Sequence, residues 1–225
     1  MYEKFIKRAL DLLVALFATL VLSPVLIVLI VVGAVIMEGN PFFVQPRPGK
    51  GEKIFKLIKF RSMTCKTDEN GNLLPDEQRL TKYGSSIREA SLDELPELFN
   101  IIKGDMSIVG PRPQLVRDMV FMTPDQRRRH TVRPGLTGLA QANGRNGISW
   151  ENKLQFDLEY IENITFVNDV KIIFKTAVGV LKKEGISKEG MATSEDFGDY
   201  LLDKGAISEK EYAEGQESAK LLLKA

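Results

Sequence analysis

The chain has 225 residues, 44% hydrophobic and 27% charged, a size that suits one domain with an appendage and not two full catalytic domains. Lys and Arg number 31 against 30 Asp and Glu, a net charge of +1, so no global field gathers polyanions and no nucleic acid is expected as a partner. A single cysteine, Cys65, and a single histidine, His130, exclude a disulfide framework, a multi-cysteine zinc site and a His-rich metal cluster, leaving chemistry to carboxylates and cations.

The mean hydropathy of −0.10 hides an uneven distribution. Residues 12–37 carry no charge; as a helix they would extend about 39 Å, enough to cross a hydrocarbon core of about 30 Å. The run exceeds the roughly 7–15 residues of a signal-peptide core and lacks a small-residue cleavage site. Lys4, Lys7 and Arg8 precede it, while Arg47, Lys50, Lys53, Lys56, Lys59 and Arg61 follow. Cations on both flanks place both ends on the cytoplasmic side. Pro24 removes a backbone donor in mid-run and favours a bend, with the Ser23 hydroxyl available to the carbonyl that loses its partner. The sequence therefore predicts a re-entrant, bent helix over residues 1–40; a proline-kinked transmembrane anchor is the rival reading.

After Gly39-Asn40-Pro41 the composition turns globular. Pro46-Arg47-Pro48-Gly49-Lys50-Gly51 reads as a turn, and residues 54–63 as a strand of a hairpin. Its cations, Lys53, Lys56, Lys59 and Arg61, read either as a solvated face or as a face for anionic headgroups. Residues 64–86 are polar and rich in turn formers, which predicts a mobile excursion. A helix is expected from Ser91, with Leu95, Leu98, Phe99 and Ile102 inward and Gly104 as its stop. Thr123-Pro124-Asp125-Gln126 opens another. Ser149 opens a third, with Trp150, Leu154, Leu158 and Ile161 on one face. Asn168 opens a fourth, with Val170, Ile173, Ala177 and Val180 inward. Residues 194–225 form a short helical hairpin, its second helix begun by Ser208 and Glu211; it is too small to stand alone and must dock on the main body or on another subunit of a homo-oligomer.

Asp93-Glu94 is the pair best placed for chemistry. In the first helical turn a carboxylate would be held ionised by free N–H groups, which suits a nucleophile or a metal ligand. The competing reading makes Glu94 the end of a capping box begun by Ser91. Arg112, between Pro111 and Pro113, has a restrained backbone and could grip a phosphate in bidentate fashion or serve a structural ion pair. Asp157 borders the apolar face of its helix and needs a buried partner. Residues 132–147 are glycine-rich, with Arg133, Gln141, Asn143 and Arg145 interleaved, either a wrap for a nucleotide or a plain linker; they match neither a dinucleotide fingerprint nor a Walker loop. Arg127-Arg128-Arg129-His130 reads as an exposed or lipid-facing helix surface.

Taken in order, these motifs resemble the bacterial sugar transferase family, the monotopic phosphoglycosyl transferases. The resemblance covers residues 1 to about 193. It rests on Lys7-Arg8 with Asp11, Ser23-Pro24, Lys59-Phe-Arg-Ser-Met63, residues 91–100 beginning Ser91-Leu-Asp-Glu-Leu-Pro-Glu-Leu, Gly104-Asp-Met-Ser107, Gly110-Pro-Arg-Pro113 and Arg133-Pro-Gly-Leu-Thr-Gly138. The short length and Ile148-Ser149-Trp150 make the chain most similar to the small members that begin N-glycan assembly.

The resemblance implies transfer of a phosphosugar from a UDP-sugar to polyprenyl (undecaprenyl) phosphate, with release of UMP. Asp93 would be the nucleophile and a ligand of Mg2+, and Glu94 its catalytic partner. Lys59 and Arg112 would bind phosphate, with Arg133, Gln141, Arg145 and Asp157 as further substrate contacts. The expected fold is α+β and mainly helical, a monotopic protein of the bacterial inner membrane facing the cytoplasm. It combines a re-entrant bent helix (1–40), a catalytic domain (41–193) holding a small β-hairpin and amphipathic interfacial helices, and the appendage (194–225). Inner-membrane lipids join the two substrates as partners. A membrane-anchored scaffold, binding through the C-terminal hairpin with Asp93-Glu94 as a mere cap, is the alternative.

Overall fold

The computed structural model describes residues 2–144, 147–182 and 195–224. Helices α1 (Lys7–Val21) and α2 (Ser23–Ile36) meet at an angle of 64°. Pro24 has no N–H to offer the Leu20 carbonyl four residues back. Ser23 Oγ replaces it, donating to that carbonyl at 2.7 Å. Among the described residues no single helix is long and apolar enough to cross a membrane, whereas the bent pair passes by length and composition.

The start of α1 is anchored to the body by three side chains within its first five residues. Lys7 pairs with Asp169 at 2.6 Å. Arg8 donates to the carbonyls of Ile101 and Ile102, and Asp11 accepts from Ser107 Oγ and the Ile108 N–H. Beyond them Ala15 packs with Phe55, Leu57, Leu98, Ile101 and Met106. Leu26 and Leu29 of α2 pack with Phe60 and Ile87. The opposite face of both helices is exposed and apolar, with Leu13, Phe17, Leu20, Ile27, Val28 and Val35 uncovered.

Strands β1 (Phe42–Pro48) and β2 (Ile54–Phe60) form an antiparallel hairpin. The proline segment is thus the end of β1 and not the turn, which lies at 49–53. Both members of a two-stranded sheet are edges, where a missing N–H can face outward. Strand parity also divides the expected cationic face: Phe55, Leu57 and Lys59 point one way, while Lys56 on the other side is exposed.

Residues 64–86, expected to be an excursion, carry α3 (Asp76–Arg79) and the start of α4 (Lys82–Glu89). Thr81 caps α4 by accepting from the Gly84 N–H. Tyr83 and Ile87 supply a narrow apolar face against α2, and the Tyr83 hydroxyl donates to the Leu29 carbonyl. Helix α5 (Glu97–Lys103) begins later than expected and stops at Gly104, whose φ of 99° supplies the left-handed cap. Its buried side chains are Glu97, Leu98, Asn100 and Ile101; Phe99, expected inward, is exposed.

Strand β3 (Ser107–Val109) runs parallel to β4 (Gly135–Thr137). Between them lie α6 (Val116–Met119) and α7 (Pro124–Arg127), the latter begun by the expected Thr123/Gln126 capping box. The basic run differs from its expectation: Arg129 and His130 are buried in the 3-10 turn that follows α7, because Arg129 finds its counter-ion on a helix far along the chain.

Helix α8 (Leu139–Ala142) leads to α9 (Trp150–Glu162), whose buried stripe is Trp150, Leu154, Asp157 and Tyr160. In α10 (Phe166–Leu181) the cap is Thr165, accepting from the Asn168 N–H, and the face is turned from that expected. Asp169 and Ile172 are buried, while Phe166, Val167, Val170, Ile173 and Phe174 are exposed. Asp169 sets this register, because it holds Lys7, Tyr2 and Tyr160 together.

Helices α11 (Phe197–Asp203) and α12 (Glu209–Lys224) form the C-terminal hairpin, with Ser208 and Glu211 closing a capping box. The hairpin sits on the body of its own chain. The Phe121 ring lies so close to Gly198 and Gly215 that a Cβ there would stand 2.5 and 2.4 Å from ring carbons. Ala219 packs against Val116 and Met119.

Candidate active site

The site forms where β2, the turn before α5 and the loop after β3 converge. Asn100 sets the first two against each other. Its side chain donates to the Lys56 carbonyl at 2.8 Å and accepts the Ile58 N–H at 3.1 Å, acting as a one-residue strand partner. Lys59, inward by parity, then reaches Glu94 Oε1 at 2.8 Å and Glu97 Oε1 at 3.1 Å.

Asp93 and Glu94 lie in a 3-10 turn, Leu92–Glu94, preceded by Ser91 at φ 55° with no side-chain cap. The capping box is therefore absent, and the Glu94 carboxylate accepts from Arg112 Nη2 at 2.6 Å as well as from Lys59. Asp93 has no hydrogen-bond partner among the described residues, although the charges of Lys59, Arg112 and Arg88 act on it.

The charges sort themselves accordingly. Burial would raise Glu94, but Arg112 and Lys59 outweigh it and hold this carboxyl far below the usual range. Burial and then the Glu94 charge push Asp93 up, against the pull of Lys59, Arg112 and Arg88; α5 proper starts four residues later. Burial, with Glu94 behind it, lifts Glu97 to about 7 against the pull of Lys59. Lys59 stands above its usual value because Glu94 and Glu97 overcome its burial. The arrangement offers one neutralised carboxylate, one unengaged carboxylate and a guanidinium partly open to solvent.

Arg112 is delivered by a glycine contact. Gly110 and Gly138 approach so closely that a Cβ on Gly138 would stand 2.2 Å from the Gly110 carbonyl oxygen. The Gly110 N–H meanwhile donates to Thr137. The two glycine-containing motifs are thus the two halves of one backbone crossing.

Of the residues singled out in the sequence, Asp93, Glu94, Lys59 and Arg112 come together. Asp157 joins them indirectly: Arg129 donates twice to its Oδ2, at 2.9 and 2.7 Å, while Oδ1 is buried without a hydrogen-bond partner among the described residues. Arg133 Nε donates to the Gly104 carbonyl and lines a small cavity of about 40 Å³ with Lys7, Arg8 and Asp11. Gln141 donates to the Leu136 carbonyl; neither hydrogen-bonds to the cluster. Arg145 lies outside the described residues. Sequence reasoning missed Glu97, Arg88 and Arg129. Glu97 could have been found as an acidic residue three positions after Glu94, on the side of α5 that faces the core.

The sequence matches the family described as Bacterial sugar transferase over residues 2–183. It is 48% identical over 192 residues to the sugar transferase EpsL of Bacillus subtilis, covering 85% of this chain and 95% of that protein. It is 36% identical over 201 residues to the undecaprenyl-phosphate galactose phosphotransferase of Salmonella typhimurium, covering 81% of this chain and 42% of the relative. To the UDP-glucose:undecaprenyl-phosphate glucose-1-phosphate transferase of Xanthomonas campestris pv. campestris it is 37% identical over 182 residues, with coverage of 76% and 38%. The chain therefore spans nearly all of one relative and about two fifths of the other two. Matched to the family over residues 2–183 and to a relative at 48% identity over most of both chains, this chain belongs to the bacterial sugar transferase family.

Proposed function

We propose that this chain is a phosphoglycosyl transferase that moves a sugar 1-phosphate from a UDP-sugar to undecaprenyl phosphate, with Asp93 as nucleophile. The observation that carries the assignment is the asymmetry of the acidic pair: Glu94 is neutralised by Lys59 and Arg112, while Asp93 has no hydrogen-bond partner among the described residues. The relatives' names supply the substrate classes.

In the first step an Asp93 oxygen attacks the phosphorus that bears the sugar. The P–Oδ bond forms, the bond to the bridging oxygen breaks, and UMP leaves with the electron pair. In the second, an oxygen of undecaprenyl phosphate attacks the same phosphorus, the bond to Asp93 breaks, and the carboxylate is restored with a polyprenyl-diphosphate sugar as product. No proton need move, so alignment and charge neutralisation carry the barrier. Arg112 and Lys59 supply fixed positive charge, and Glu94 keeps both oriented. Burial raises Asp93 and so makes it the better nucleophile of the pair.

The donor set fits Mg2+ held by Asp93 and substrate oxygens. Among the described residues no three acidic, His or Cys side chains form a protein-only cage, and Mg2+ is commonly held by one or two carboxylates plus substrate phosphates. Mg2+ there would neutralise diphosphate charge.

The bent α1–α2 pair fits re-entry into one leaflet of the bacterial inner membrane. Its outward faces are apolar, both flanks are cationic, and the exposed apolar face of α10 suits an interfacial helix. The active site then lies at headgroup level on the cytoplasmic side, where a lipid phosphate resides. The reaction would be the first membrane step of glycoconjugate assembly, for an N-glycan, O-antigen or capsule.

The test is UMP release from UDP-glucose, UDP-galactose and UDP-N-acetylgalactosamine with undecaprenyl phosphate and Mg2+. Asp93→Asn should still bind nucleotide sugar and release no UMP, and radiolabelled sugar phosphate should be trapped on the native chain. Substantial turnover by Asp93→Asn would overturn the nucleophile assignment.

A further inference from the structure

The Pro111-Arg112-Pro113 turn is poorly equipped to hold itself, since two of its three residues have no N–H. Each of its three carbonyls is nevertheless bound, by three different parts of the chain. The Gly135 N–H donates to Pro111 at 3.0 Å, Arg129 Nη2 to Arg112 at 2.5 Å, and Arg47 Nη1 to Pro113 at 3.0 Å.

Two of these donors are guanidiniums in costly surroundings. Arg129 is 2% exposed, with Nε and Nη2 both on Asp157 Oδ2. Arg47 is tied to Gln45 Oε1 at 2.7 Å, and its Nε is buried without a partner among the described residues. Apolar side chains of similar volume would often fill such places at no loss of stability. A guanidinium adds several donors in a fixed fork, here directed at consecutive carbonyls of the turn that presents Arg112.

We propose that Arg129, with Asp157 as its counter-ion, and Arg47 are positioning residues that hold the backbone of Arg112, so that its side chain meets both Glu94 and the diphosphate. The proposal deepens the transferase reading and rests on it for the role of Arg112. Asp157 acts through Arg129 and the Arg112 carbonyl, with no contact to substrate.

The experiment compares Arg129→Met/Asp157→Leu, which leaves no lone buried charge, and Arg47→Met in the native and Arg112→Lys backgrounds. In the native background each should lower kcat for UMP release by about 100-fold, the scale of a misplacement near 1 Å, with a smaller change in KM. In the Arg112→Lys background the same changes should cost less than about 3-fold, because residues acting through one group are not additive. Equal losses in both backgrounds, or no loss in the native one, would overturn the proposal. Amide hydrogen exchange supplies a readout independent of turnover. Exchange should rise in peptide 108–116 of the variants and stay unchanged in α12, and an unaltered 108–116 peptide overturns the brace. Failure of the native chain to release UMP from any of the three UDP-sugars would count against the transferase reading, while the exchange comparison would still decide the brace.

Discussion

Arg112 Nη2 and Glu94 Oε1 stand 2.6 Å apart, a bond made across 18 positions of sequence. Through it the more acidic member of the pair is tied to a cation, while its neighbour Asp93 has no hydrogen-bond partner among the described residues. Glu94→Gln removes the charge that Lys59 and Arg112 share and leaves two cations facing each other. UMP release should fall by about 100-fold or more, the cost of misplacing groups that must align, and steady-state rates on matched preparations check it. A rate within about threefold of native would show that Glu94 does not organise the site.

Glu97 gives the fold a pH dependence of known sign. Its carboxyl stands at about 7 in the folded chain against an ordinary 4.5. The folded state therefore binds the proton more tightly, and this contribution is complete below 4.5 and lost as pH rises through about 7. Glu97→Gln cannot titrate. Between pH 5 and pH 8 the native thermal midpoint should fall relative to that of Glu97→Gln, and parallel profiles would remove Glu97 as the cause.

If the bent pair enters and leaves by one leaflet, Glu3→Cys and Lys53→Cys, each in a Cys65→Ser background, should both react with an impermeant maleimide from the cytoplasmic side of inside-out vesicles. Both positions are exposed. Labelling from opposite sides would establish a spanning helix.

Gly138→Ala would place a methyl 2.2 Å from the Gly110 carbonyl. The crossing must open, at a cost of about 2 kcal/mol or more. The unfolding midpoint in detergent should fall by about 5 °C, with activity declining in step because Arg112 leaves the same crossing.

Phe121→Ala should detach the C-terminal hairpin. The ring fills the gap between Gly198 and Gly215 and stacks on Tyr212 with centroids 5.8 Å apart. Its loss should cost about 3 kcal/mol and make residues 197–224 sensitive to limited proteolysis. The active-site cluster lies elsewhere, so UMP release should survive at low temperature.

Much of the fold was legible wherever a rule acts over a few residues. The missing proline donor predicted both the bend and the role of Ser23, because the Leu20 carbonyl lies one turn away. The Thr123 and Ser208 capping boxes and the Gly104 stop were readable for the same reason. Asp157 could be read as a buried carboxylate in need of a partner; nothing local named Arg129, 28 positions away.

Errors arose where a distant group set the register. Apolar periodicity alone turned α10 the wrong way, because the residue that fixes its orientation is a polar one, Asp169, bound to Lys7 across 162 positions. An apolar face can serve a core or a membrane equally well, and hydrophobicity does not distinguish them. The Ser91/Glu94 capping pattern was likewise overridden: Glu94 gains more from the two cations that donate to it than from one backbone N–H. By itself, then, the sequence determined the bend, the caps and the types of residue available for chemistry, since these follow from steric and hydrogen-bonding rules within a helical turn. Only the tertiary structure decided which carboxylate is neutralised, which face of α10 is free and how the proline turn is held, because each depends on charges and carbonyls that chain folding brings together from far apart.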